Sequence, residues 1–198
     1  AIARAKGPVR VRLDIRTQRI ERAQSGNVIG EIPGRTDDII VIGGHLDSWD
    51  LGTGAVDDGA GVAITLAAAK LVDEMKGTPG RTIRVVMWGA EEVGIHGGKA
   101  YAETHKNDIA RHALAAESDF GAGRVWQLRT RFGAGREGHA KDLAEALRPL
   151  GVGPGSAEAF GGADVGALRA AGVPVLDLAQ DGGDYFDFHH TANDTLDK

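Results

Sequence analysis

The chain contains no cysteine. Disulfides, thiolate nucleophiles and thiolate metal ligands are therefore excluded, and any bound metal must be held by His, Asp or Glu. The absence does not decide the compartment, because exported proteins without disulfides also exist. No apolar run reaches the roughly 18 residues of a membrane span. Positive charge is in short supply too: 23 Lys and Arg against 28 Asp and Glu leave a net charge of −5, which gives no support for nucleic-acid binding. No internal repeat, low-complexity tract or interdomain linker interrupts the chain. It opens on Ala1 rather than Met and shows no signal peptide. It is expected to be a piece of a longer precursor, so the missing signal carries little weight.

Glycine is in excess, with 30 residues, about twice the roughly 7% of an average protein. Many glycines follow apolar runs, as in Gly43-Gly44, Gly97-Gly98, Gly161-Gly162 and Gly182-Gly183. That fits tight loops at the ends of buried strands. Val9 to Ile15 alternates apolar and charged residues, which predicts a half-buried strand whose arginines form a solvated face. Residues 18–32 are expected to continue antiparallel to it, with Ser25-Gly26-Asn27 as a turn or bulge. Further strands are expected over 39–43, 82–88, 112–116, 125–128 and 173–178, and helices over 59–75, 97–105, 137–147 and 164–171. This alternation predicts one α/β domain, a three-layer α/β/α sandwich around a mostly parallel, mixed sheet. Ligands of such sheets bind beyond the carboxyl ends of the strands.

Four polar clusters follow expected strand ends. His45-Leu46-Asp47 leaves the strand after Gly43-Gly44 and leads to Asp57-Asp58-Gly59-Ala60-Gly61. Glu91-Glu92 follows Met87-Trp88, Glu117-Ser118-Asp119 closes the next strand, and His189-His190 precedes Asp194-Thr195. Imidazole and carboxylate are the preferred ligands of catalytic zinc where thiolates are lacking. Adjacent carboxylates such as Glu91 and Glu92 point in different directions, so one can bind metal while its neighbour faces substrate as a base. Each cluster also has a plain structural reading: a strand-end histidine satisfied by backbone, a helix N-cap at Asp57-Asp58-Gly59, a solvated acidic pair. Their convergence on one sheet edge favours the metal site.

In this order the motifs resemble those of the co-catalytic zinc exopeptidases, the family of bacterial secreted aminopeptidases, glutamate carboxypeptidases and the plasma-type carboxypeptidase. The plasma-type branch is the most similar, through Gly43-Gly44-His45-Leu46-Asp47-Ser48-Trp49, Asp57-Asp58-Gly59-Ala60-Gly61, Glu91-Glu92, Glu117-Ser118-Asp119 and Asp184-Tyr185-Phe186 with His189-His190. The resemblance runs from about residue 26 to the C-terminus. It implies two Zn2+ ions, with His45 and Asp119 on one, Glu92 and His190 on the other, and Asp57 bridging both. It implies Glu91 as general base and Asp47 as the carboxylate that orients His45 through its second ring nitrogen. The implied reaction is hydrolysis of a peptide bond next to a free terminus by zinc-activated water. The implied substrate is a peptide or dipeptide, and the implied location periplasmic or secreted. On this reading the chain is a single catalytic domain lacking the N-terminal segments, protease-associated domain and closing C-terminal helix of its relatives. A glutaminyl-cyclase-like acyltransferase with one zinc and a non-catalytic, receptor-like module are the alternatives on the same fold.

Several residues compete for these roles. Glu117 and Asp119 are two apart and would share a face of a strand; the family's spacing from Glu92 favours Asp119. His190 is favoured over His189 because the family's ligand stands four residues before the Asp of Asp194-Thr195. Asp58 is expected to cap the following helix, and Asp194 to cap a helix starting near the end of the chain. Tyr185 and Asp164 are the candidate substrate contacts, Asp164 for a free amino group. Trp49, Phe160 and Phe186 are candidates for core or pocket. His96, His105, His112 and His139 are expected on surfaces or in loops.

Overall fold

A computed structural model describes residues 7–18 and 23–198. The part of the expected antiparallel continuation that falls on residues 19–22 lies outside them. Along the chain run β1 (Val28–Ile32), β2 (Thr36–His45), α1 (Ala60–Glu74), β3 (Arg81–Trp88), α2 (His96–Thr104), β4 (His112–Glu117), β5 (Val125–Arg131), α3 (Glu137–Leu147), β6 (Gly153–Pro154), α4 (Gly166–Ala170), β7 (Val175–Gln180) and α5 (Tyr185–Phe188). The seven strands form one sheet in the order β1-β3-β2-β4-β7-β5-β6. Strands β3, β2, β4 and β7 are mutually parallel at its centre. Antiparallel pairing of β1 with β3 and of β5 with β7 makes the sheet mixed, as expected.

Alternate residues of the central strands enter different layers, because successive side chains leave opposite faces of a strand. Val86 and Trp88 join Ile39, Val41, Ala115 and Val175 in a core closed by Tyr101 of α2 and Leu168 of α4. Val85 and Met87, with Ile42, meet Ala69 and Val62 of α1. Helices thus cover both faces, which is the three-layer arrangement. Helix α1 lies close to the sheet because its buried stripe is small: Gly61, Thr65 and Ala69, each four residues from the next. A Cβ on Gly61 would collide with the Ser118 carbonyl, and one on Gly44 with the Asp58 carboxylate. These two glycines let the first turn of α1 sit directly against the ends of β2 and β4.

Two expectations need correction. Val9 to Ile15 forms no strand, and its apolar side chains stand in solvent, with Leu13 76% and Ile15 75% exposed. Alternation produces a strand only where a second strand pairs with it and a face is buried, and neither occurs here among the described residues. His112 is buried at the start of β4 instead of lying on a surface. Tyr101 brings its hydroxyl to 2.9 Å from His112 Nε2 and receives Arg84 Nη1 at 2.7 Å. The short β6 and α5 carry too few residues for periodicity to reveal. No helix among the described residues is long and apolar enough to cross a membrane.

Candidate metal centre

Parallel pairing brings the chemistry to one edge. His45 is the last residue of β2 and pairs with Trp88, the last of β3, so the loop carrying Glu91 and Glu92 starts beside it. Strand β4 ends at Glu117, which places Asp119 two residues beyond the strand. Asp57 comes from an irregular turn, Ala55–Gly59, in which Asp57 and Asp58 leave helical geometry. His189 and His190 follow α5.

The His45 ring is fully enclosed. Its Nδ1 lies 2.8 Å from the Asp47 carbonyl, an acceptor only, so Nδ1 carries the proton. Nε2 then points between two carboxylates, 3.2 Å from Asp57 Oδ1 and 3.6 Å from Asp119 Oδ1. Burial opposes charge on His45, but the Asp119 and Asp57 carboxylates outweigh it and push it up to about 12. That arrangement calls for a cation at Nε2, whether a proton or a metal ion. The second oxygen of Asp57 faces the other way. Asp57 Oδ2 lies 3.3 Å from His190 Nε2 and 3.4 Å from His189 Nε2, and His190 Nε2 is 3.0 Å from Glu92 Oε2. Buried Glu92 Oε1 has no hydrogen-bond partner. An acceptor with nothing to accept, beside two imidazole nitrogens and a shared carboxylate, fits a divalent cation better than it fits a closed hydrogen-bond network. His45, Asp57 and Asp119 thus form one group and Asp57, His189 and His190 a second, with Asp57 common to both, and Glu92 joins the second through His190. Both histidines reach Asp57; His190 also meets Glu92.

The residues behind these groups depart from expectation in three places. Asp47 meets His45 through its carbonyl, while its carboxylate stands 3.8 Å from Nδ1. That carboxylate instead accepts the amides of Glu91 at 2.9 Å and Glu92 at 3.1 Å. Asp164 is 0% exposed. Its carboxylate accepts the Gly98 amide, while its own amide donates to Glu117. It is thus removed from any substrate, which corrects the expected amino-group contact. Burial raises Asp164 to about 6, and burial with the Asp164 and Asp119 carboxylates holds Glu117 well above the usual carboxylate range. Glu117 points to this buried pair and Asp119 to His45, which separates the two competitors. Finally, the Asp194 carboxylate serves a distant turn and not the backbone that follows it, accepting the amides of Val56 at 2.6 Å and Asp57 at 3.2 Å. Asp58 does cap, accepting the Gly61 amide at 3.1 Å, and also accepts the His45 amide at 2.9 Å.

Glu91 stands on the wall of a cavity of about 340 Å³ shared with Trp49, Asp57, Ile95, Asp119, Tyr185 and His190. Burial, with the Asp119, Asp164 and Glu92 carboxylates and against His45, pushes Glu91 up to about 7. Tyr185 stacks on Phe120 at 4.4 Å between ring centroids and meets His189 at 4.9 Å. Burial and the nearby Asp57 and Asp119 carboxylates keep its hydroxyl protonated well beyond the usual range. A larger cavity, about 920 Å³, opens at the amino ends of β2 and β4 near Ile40, Leu114 and Leu143. It lies at the sheet edge opposite the clustered His and carboxylate side chains, whereas the smaller cavity is lined by them.

Residues 27–198 match Peptidase family M28. Mouse (Mus musculus) carboxypeptidase Q is 35% identical over 191 residues, covering 94% of this chain and 40% of that protein. The chain thus spans about two-fifths of the length of this relative. Among solved structures, the peptidase M28 precursor from Shewanella amazonensis superposes with a TM-score of 0.83 at 54% identity, over 86% of this chain and 39% of that one. The aminopeptidase of Aneurinibacillus sp. strain AM-1 does so with a TM-score of 0.66 at 30% identity, over 87% and 42%. An Acidobacteriales bacterium glutaminyl cyclase, 23% identical with a TM-score of 0.64 over 87% and 66%, shares the fold. The chain belongs to peptidase family M28.

Proposed function

We propose that the chain is the catalytic domain of a metal-dependent exopeptidase that hydrolyses the bond next to a free terminus of a peptide or dipeptide. One observation carries the reading: Asp57 Oδ1 faces His45 and Asp119 while Oδ2 faces His190, itself against Glu92. Two cation sites sharing one carboxylate account for that division. With no thiolate in the chain, the donors suit Zn2+. His45 and Asp119 would hold one ion, Glu92 and His190 the other, and Asp57 both. When bound, two such ions supply Lewis acidity, polarising a carbonyl oxygen and lowering the pKa of water.

The chain's own groups do the rest. Glu91 takes a proton from the attacking water and passes it to the leaving nitrogen. Asp47 holds the backbone from which Glu91 and Glu92 project. Tyr185, kept protonated, donates a hydrogen bond to a substrate oxygen from the cavity wall. One-metal acyl transfer of the glutaminyl-cyclase kind would leave one side of Asp57 without a role, and the receptor-like alternative would leave both. Following the family resemblance, we place the protein in the periplasm or outside the cell. The test is Glu91→Gln. It is expected to bind zinc as the wild type does and to lose about 10²–10⁴-fold in kcat on a dipeptide. Turnover within a few-fold of wild type would overturn the assignment.

A further inference from the structure

The turn that carries Asp57 does not hold itself in place. Asp57 (φ −127°, ψ 87°) and Asp58 (φ −129°, ψ 32°) are not helical, so the amides entering the turn lack the acceptors a helix would provide. Both are taken by one side chain from 137 and 138 residues further along the chain: Asp194 receives Val56 N at 2.6 Å on Oδ1 and Asp57 N at 3.2 Å on Oδ2. The Asp194 carbonyl accepts the Thr53 amide at 2.8 Å. Asp194 is 4% exposed. The contact has no slack, because a Cβ on Gly52 would stand 2.7 Å from the Thr191 carbonyl and 3.0 Å from Asp194 Cβ. The same short segment, Thr191 to Asp194, follows His190 directly and is folded back by Asp194 N→Thr191 O at 3.2 Å.

We propose that Asp194 is a positioning residue for the metal centre. It clamps the backbone of Asp57 so that each carboxylate oxygen faces its own group of ligands, and it sets the distance between Asp57 and His190, which are far apart in the chain. The inference rests on the two-cation reading above, but it concerns hydrogen bonds that do not involve the ligands' side chains.

A carboxylate accepts at both oxygens, whereas an Asn side chain presents one acceptor and one donor. Asp194→Asn therefore sets an N–H against a backbone N–H without changing size. The experiment titrates Zn2+ alone into chelator-treated 198-residue chain, wild type and variant, and records the melting temperature of each metal-free protein. The expected result is a fall in zinc affinity of about 10–100-fold with a metal-free melting temperature near that of wild type. At saturating zinc the Asp194→Asn variant should show a lower kcat on a dipeptide with KM little changed. Unchanged zinc affinity overturns the inference, as does a loss of affinity matched by collapse of the metal-free fold in both Asp194→Asn and Asp194→Glu. Should only Asp194→Asn fail to fold, Asp194→Glu, which keeps both acceptors on a longer arm, must show the weakened affinity. A wild type that binds no zinc would overturn the functional reading itself, whereas wild-type binding with an indifferent variant would overturn only the role of Asp194.

Discussion

Trp49 lies flat on His190, with ring centroids 4.6 Å apart and planes 15° apart. His189 stacks on His190 as well, at 3.7 Å and 18°. The imidazole is thereby held between two rings while its Nε2 points at Asp57 and Glu92. This matters because His190 is exposed, so little other packing restrains its ring. Trp49→Ala should loosen the ring and weaken zinc binding by about tenfold, in the range for residues that orient a ligand. Trp49 is itself 47% exposed, so the loss of stability should stay near or below about 1 kcal/mol. Zinc titration beside a metal-free thermal melt checks both halves.

Asp47 offers a sharper contrast. Asp47→Asn leaves the carbonyl that orients His45 untouched but replaces one of the two oxygens that receive the Glu91 and Glu92 amides. A drop in kcat of about 10–100-fold is expected, with a smaller effect on KM. Steady-state kinetics on a dipeptide distinguish this from a residue acting only through its carbonyl, whose Asn variant would be silent.

Stability should depend on pH through His112, far from the metal centre. Burial lowers its pKa below the ordinary value of 6.5, helped by the nearby His105 and Arg84 and opposed by the Asp108 carbonyl. The folded protein therefore binds this proton less readily than the unfolded chain. The contribution is complete above the unfolded value and is lost as pH falls through 6.5 toward the lowered folded value. His112→Phe cannot titrate, and it leaves the Tyr101 hydroxyl without its acceptor. Thermal melts across pH 5 to 8 should show a variant destabilised by about 1–3 kcal/mol at neutral pH, with a flatter fall in acid than the wild type. Parallel curves would refute the role of His112.

The architecture is legible in local patterns, and the five proposed ligand side chains are singled out by the family resemblance laid over those patterns. Apolar runs ending in glycine and then in His or carboxylate mark the carboxyl ends of parallel strands, and parallel strands bring their ends to one edge. The choice between Glu117 and Asp119 was harder, since a strand continuing through both would have put them on one face. The strand stops at Glu117, and the chain is free to turn Asp119 toward His45. What the pattern concealed were hydrogen bonds between distant segments. Nothing near Asp194 signals that its partners are residues 56 and 57, and an aspartate before a threonine at the end of a chain reads equally well as a helix cap. Asp164 departs from its expected role for a similar reason: its loop follows two glycines, but it turns inward to Gly98 and Glu117. Val9 to Ile15 shows the opposite failure, a strand pattern with no strand beside it.

Asp57 is proposed to divide two metal ions between two groups of ligands. Zinc titrated into chelator-treated protein, with hydrolysis of a panel of dipeptides and aminoacyl substrates followed at each addition, tests it most directly. The expected result is no hydrolysis in the chelated protein, activity that returns with zinc, and binding that saturates at two ions per chain. Hydrolysis that survives chelation, or full activity with a single ion bound, would contradict it.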